Sequence, residues 1–250
     1  MVFHTFGDKA DKAVILVHGV LNPWQIWTDA INKFKERYYV IVPELDGHTQ
    51  SEKSTFISVD DEAAKITDYI KNELGGEVFL LAGISMGGRI AATLAKSEDL
   101  SIENLVLDGA PLTKVNVVLK EIMKSNYKTI VMKSKLHDAK ILEQAKKDFL
   151  PENMIPYYIK IAENMIMVSV NNIIDSVFSR FDYPKYKSGM KILFMHGTKG
   201  NESLSAKCAV RMKGINPQTE IRSFEGLAHA ELACFKPEQW YEEVRSFINA

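Results

Sequence analysis

Ser85 stands in Gly83-Ile84-Ser85-Met86-Gly87-Gly88, directly after an apolar run at 78–82 and before a stretch at 89–94 whose residues favour helix. A serine on so sharp a strand-to-helix turn has its hydroxyl pushed out from the sheet edge, and the flanking glycines let the chain pass closely behind it. The following helix aims its first N–H groups at any negative charge that develops there. Such a serine can attack a carbonyl if a base takes its proton. Among the six histidines, His229 has the best setting, in Glu225-Gly226-Leu227-Ala228-His229, just past the last predicted strand. The C-terminal edge of a parallel sheet would return it over Ser85, and an imidazole suits both proton removal and later delivery to a leaving group. His18 and Gly19 follow the first predicted strand. Their contribution is read as the backbone N–H of Val20, which with the N–H of Met86 would hold the oxyanion of a tetrahedral intermediate. His18 itself, and His196 in a second His-Gly pair, read as residues that tie turns together.

These groups need a scaffold, and the hydrophobic pattern supplies one. Short apolar runs without polar alternation at 13–17, 40–42, 78–82, 105–107 and 192–195, with a last candidate at 220–224, fit strands covered on both faces. Between them lie helical patterns. Ala63, Ile66, Ile70 and Leu74 make one apolar stripe that ends at Gly75-Gly76. Pro237 opens a C-terminal helix that buries Trp240, Val244, Phe247 and Ile248. Strand–helix–strand alternation predicts an α/β fold with a mostly parallel central sheet flanked by helices. The alternation stops at 112–188, too long for an ordinary crossover. Helical patterns at 115–123, 136–149 and 157–178, interrupted by Pro151 and Pro156, are read as an inserted helical cap, with 1–111 and 189–250 as the core. Met154, Met165, Met167, Trp24 and Trp27 are candidates for an apolar pocket wall, with core packing as the alternative.

Composition narrows the classes. With 31 basic against 32 acidic residues the formal charge is −1, and no dense basic run suggests a nucleic-acid surface. Cys208 and Cys234 could form one bridge at most and read as buried thiols in a reducing compartment, a regulatory disulfide being the alternative. The opening residues lack a signal-peptide pattern and no run is long enough to span a bilayer, so the expectation is a cytoplasmic protein without a membrane partner. The glycines form neither a dinucleotide fingerprint nor a phosphate loop, and no cluster has zinc-ligand spacing, so no cofactor or metal is expected. Oligomeric state is not legible.

Taken together, His18-Gly19-Val20, Pro43-Glu44-Leu45-Asp46-Gly47-His48, the Ser85 turn, Leu105-Val106-Leu107-Asp108-Gly109, Met195-His196-Gly197 and Gly226-Leu227-Ala228-His229 resemble the α/β-hydrolase superfamily, in particular its small capped esterase and lipase-like members. The resemblance spans almost the whole chain. It implies an α/β-hydrolase fold with Ser85 as nucleophile, His229 as base, Val20 and Met86 as oxyanion donors, and 112–188 as the cap. It also implies a serine hydrolase (carboxylesterase-like) acting on a small or medium acyl or aryl ester. A thioester, lactone, amide or C–C substrate, or a non-catalytic small-molecule binder, are the alternatives, since one scaffold hosts many chemistries. The acid departs from the pattern. Many relatives carry an aspartate three residues after the second His-Gly pair, where this chain has Gly200. Asp108, at the end of a core strand, and Glu202, two residues beyond Gly200, are the two replacements. Asp108 is preferred because a rigid strand positions a carboxylate more easily than a loop does. Asp46 is read as a structural turn residue.

Overall fold

The computed structural model describes residues 1–250. Its centre is a seven-stranded sheet in the order β1-β3-β2-β4-β5-β6-β7, built from β1 (Val2–Phe6), β2 (Ala13–Val17), β3 (Tyr39–Glu44), β4 (Glu77–Ile84), β5 (Ser101–Asp108), β6 (Lys191–Gly197) and β7 (Thr219–Phe224). All pairings are parallel except that of the edge strand β1 with β3. Every residue of β2 and β3 is buried, as expected of strands covered on both faces. β1 is half exposed and carries His4 and Thr5, so its five residues offer no apolar run to read from sequence.

Helices cover both faces. α1 (Thr28–Phe34) follows a single 3-10 turn at Trp24–Trp27, and α2 (Val59–Leu74) buries Val59, Ala63, Ile66 and Ile70 along the predicted stripe. The Ser58 hydroxyl accepts from the Asp61 N–H, which satisfies one of the free donors at the start of α2. α3 (Met86–Leu94) runs through the core behind Ser85. After β6 come α8 (Glu202–Ile215), α9 (Glu231–Phe235) and α10 (Pro237–Ile248), the last with Pro237 in its first turn and Trp240, Val244, Phe247 and Ile248 buried.

The helical insertion follows the fifth strand of this sheet. It contains α4 (Val117–Lys135), α5 (Ala139–Asp148), α6 (Ile155–Asn164) and α7 (Met167–Val177). Two boundaries differ from the sequence reading. α4 continues well past 123, because Tyr127, Ile130 and Val131 keep contact with the interior. The pattern at 157–178 is two helices: Met165 and Ile166 take extended backbone, and at the end of α6 the Asn164 side-chain amide donates to the carbonyls of Thr49 and Gln50. No proline or glycine marks that break.

Both cysteines are free and buried. No helix is long and apolar enough to cross a membrane.

Candidate active site

Ser85 is the residue between β4 and α3, and its backbone is held at φ 51°, ψ −117°. A left-handed φ on a residue with a Cβ costs about 1–3 kcal/mol, and it persists only where neighbours enforce it. Here the Ser85 N–H donates to the Asp108 carbonyl at 2.7 Å and the Ser85 carbonyl accepts from the Arg89 N–H at 3.1 Å. The glycines make the turn passable: a Cβ on Gly87 would lie 2.2 Å from the Val17 carbonyl oxygen, and one on Gly83 2.3 Å from that of Gly87.

His229 arrives from the loop after β7. Its Nε2 lies 2.8 Å from Ser85 Oγ, and its Nδ1 lies 2.5 Å from Glu202 Oε1. Gly109, at φ 61°, leaves the space for the ring: a Cβ there would come within 2.9 Å of His229 Cε1. The hydrogen bond from serine to histidine to carboxylate therefore joins the ends of three separate elements, β4, β7 and β6.

The carboxylate in that chain is Glu202, not Asp108, which corrects the preference drawn from sequence. Glu202 opens α8, where the helix dipole favours negative charge. Both its oxygens are occupied. Oε2 accepts from the Gly197 N–H at 2.8 Å, while Oε1 also accepts from the Ser205 hydroxyl at 3.2 Å. Burial alone would raise the Glu202 carboxyl, but the hydrogen bond and charge of His229, the Gly197 N–H and the Ser205 hydroxyl hold it below the usual glutamate range. The argument from strand rigidity failed because these two bonds at a helix start immobilise the side chain as well as a strand would.

Asp108 lies close by but makes no hydrogen bond to His229. It is 3% exposed and its Oδ2 has no partner. Burial first, and the Glu202 charge second, push its carboxyl up to about 7. The Trp240 indole N–H is near enough to favour the charged form but is not aligned to donate, and is itself unpartnered.

The turn after β2 is fixed by two histidines. The Leu45 N–H donates to His18 Nε2 at 3.2 Å, and His18 Nδ1 donates to the Gly19 carbonyl at 2.9 Å. The Leu21 N–H donates to His48 Nε2 at 3.0 Å. Burial depresses His18 to about 3 and His48 to about 4, so both rings are neutral at physiological pH and each can accept the N–H aimed at it. Val20, on this turn, lines the same pocket as Ser85, and its N–H makes no hydrogen bond within the chain. Met86 is the first residue of α3, so its N–H has no intrahelical acceptor. Asp46 lies outside the pocket and accepts from Lys65 Nζ at 2.5 Å.

The pocket above Ser85 encloses about 110 Å³, and most of its apolar lining comes from the insertion, including Met123, Tyr127 and Phe149. None of the methionines and tryptophans singled out from sequence lines it. Trp24 stacks on His4 with ring centroids 4.2 Å apart, and Trp27 packs against Trp240. Met154 and Met165 are buried in the core.

Asn22 was missed. It is 4% exposed, lines the pocket, and its amide makes no hydrogen bond within the chain, although a Cβ on Gly19 would come within 2.5 Å of its Oδ1. Its only sequence signal is its place shortly after His18-Gly19. An amide left free in the pocket that Ser85 lines is available to a polar group of a ligand. Asn22→Ala is expected to lower kcat/KM about tenfold, the worth of one hydrogen bond to the reacting substrate. The thermal midpoint should not fall, because the amide has no partner within the chain to lose. An unchanged kcat/KM would remove Asn22 from the site.

A seven-stranded sheet with a serine on the β4–α3 turn and a histidine beyond the last strand defines a class. Residues 12–156 match the family described as the alpha/beta hydrolase fold, and the chain belongs to it. An AB hydrolase superfamily protein of Gibberella zeae is 26% identical over 109 residues, 43% of this chain and 39% of that one. The chain thus spans about two fifths of the length of that curated relative. Among solved structures, an alpha/beta hydrolase family protein from Desulfitobacterium hafniense is 21% identical with a TM-score of 0.76, covering 98% of this chain and 99% of that one. An esterase from Exiguobacterium antarcticum is 18% identical with a TM-score of 0.74, covering 99% and 95%. At these identities the likeness to solved structures establishes the fold alone.

Proposed function

We propose that the protein is a serine hydrolase acting on carboxylic esters of small or medium acyl or aryl substrates through an acyl-enzyme. The observation that carries this reading is the continuous hydrogen bonding from Ser85 Oγ through His229 to Glu202, with the serine end opening into an apolar pocket. Ser85 Oγ attacks the ester carbonyl as His229 Nε2 takes its proton. The Val20 and Met86 N–H groups, both free of acceptors within the chain, hold the oxyanion. Glu202 keeps the proton of the resting imidazole on Nδ1 and stabilises the imidazolium. His229 then protonates the departing alcohol. A water deprotonated by the same ring attacks the acyl-serine and releases the acid. Residues 112–188 act as a cap that supplies the pocket's apolar wall.

A fluorophosphonate probe tests the chemistry without knowledge of the natural ester. It should label Ser85 covalently, one per chain, and labelling should collapse in His229→Ala. Labelling that is absent from the folded wild-type protein would overturn the reading and favour a non-catalytic binder. Labelling without turnover of simple esters would redirect the substrate search to thioesters, lactones, amides or C–C bonds.

A further inference from the structure

A second, largely apolar cavity, of about 310 Å³, lies between α4, α5, α6 and Leu21 of the core, and opens to solvent beside the exposed Asn126, Gln144 and Asp148. Leu21, Tyr127, Ile130, Ile141, Ala145 and Phe149 are among its walls. Tyr127 and Phe149 also line the pocket above Ser85, so these two rings form a partition with a void on either side. The pocket above Ser85, at about 110 Å³, is well below the roughly 300–1,000 Å³ typical of small-molecule sites, whereas the second cavity reaches that range.

The position of the cavity selects the part of the substrate that would fill it. In an ester poised for attack, the carbonyl oxygen points to the N–H of Val20 and the leaving alcohol points to His229, which must protonate it. Leu21, directly after Val20, is a wall of the second cavity, and no residue of the His229 loop is. The space therefore lies on the acyl side. The Tyr127 hydroxyl makes no hydrogen bond within the chain, so no internal bond holds the ring in place as the partition.

We infer that the cavity between α4, α5 and α6 is an acyl-chain subsite reached past Tyr127 and Phe149, so the preferred substrate carries a medium-length apolar acyl chain. This rests on the esterase reading above and extends it to a substrate class.

The test compares p-nitrophenyl acetate, butyrate, octanoate and decanoate in the wild-type protein, Ala145→Trp and Ile141→Trp. Either indole would fill the cavity from α5. Burial of each methylene is worth about fourfold, or about 0.8 kcal/mol. The ratio of kcat/KM for octanoate over acetate should therefore fall at least tenfold in both variants, and Tyr127→Ala should raise it. Acetate turnover in the same preparations reports folding and an intact centre. An unchanged ratio with acetate turnover retained would overturn the subsite.

Calorimetric titration of decanoate into Ser85→Ala separates the two readings. Binding that weakens at least tenfold on adding Ala145→Trp supports the cavity even if no ester is turned over, in which case the esterase reading alone fails. If no ester is turned over and decanoate does not bind, the cavity proposal fails with it.

Discussion

Ser85→Ala is expected to lower kcat for p-nitrophenyl butyrate by about 10⁵- to 10⁶-fold, with His229→Ala nearly as severe and the double variant little worse than either. The non-additivity follows from the geometry. Ser85 Oγ and His229 Nε2 are joined by one 2.8 Å hydrogen bond, so losing either group removes the same proton transfer. KM should change little, because the pocket walls contributed by α4 and α7 are untouched. Folding is not at risk. The Ser85 hydroxyl makes one hydrogen bond, to His229, and the left-handed backbone at 85 is as accessible to alanine as to serine. Turnover persisting in Ser85→Ala would mean that the ester is cleaved elsewhere on the protein.

The second large effect separates the two carboxylates. Glu202→Gln should cut kcat by about 10³- to 10⁴-fold, the scale seen when a triad acid is neutralised, whereas Asp108→Asn should stay within about tenfold of wild type. An amide at 202 cannot satisfy both neighbours. Its oxygen can accept from His229 or from the Gly197 N–H, and its NH₂ then opposes the other donor. One buried N–H is left without an acceptor, at a cost of about 1–3 kcal/mol in stability.

Asp108 behaves in the opposite way. Its carboxyl is raised to about 7 by burial first and by Glu202 second. Between the pKa of the unfolded chain, near 4, and about 7, the folded protein holds a proton that the unfolded chain has released. That group's contribution to stability therefore falls as pH rises through this window and stays low above it. Asp108→Asn removes the titration, so its thermal midpoint should rise relative to wild type at pH 8 and match it at pH 4. A severe loss of turnover in Asp108→Asn, with Glu202→Gln nearly active, would reverse the assignment.

Much of the candidate site's geometry was legible because its parts are local. The Ser85 turn announces itself through glycines that the close approach of β2 and α3 demands, and His229 through its place beyond the last apolar strand. Glu202 was harder. What selects it is the pair of bonds to Gly197 and Ser205, together with the approach of His229, which exist only once β6, α8 and the β7 loop have come together. Asp108 has the more obvious sequence setting, yet its strand end buries the carboxyl without a donor. The pocket was least legible. Tyr127 lies on α4 and Phe149 caps the end of α5, and nothing in their spacing distinguishes a cavity wall from a packed interior. β1 was missed because a half-exposed edge strand carries no apolar run.

The insertion is fastened to the rest of the molecule on one side only. Arg89, four residues beyond Ser85, grips the chain leaving α7 through the carbonyls of Ser179 and Arg180. Ser169, Asn172 and Ser176 on α7 bond the backbone of Phe56 and Val59, and Asn164 on α6 holds Thr49 and Gln50. α4 and α5 make no hydrogen bond outside the insertion. The structure is thus a door hung along α6 and α7, with its free edge at α4 and α5. Within the insertion, α4 is bound to that hinge side by Lys120 and Lys124 at Asp175, by the Ser134–Tyr158 hydroxyl pair and by Lys135 at the Met165 carbonyl, so a swing that keeps these bonds carries α4 together with α6 and α7. The same edge carries Tyr127 and Phe149, so any movement of this leaf would displace the two rings that separate the pocket above Ser85 from the cavity beyond it.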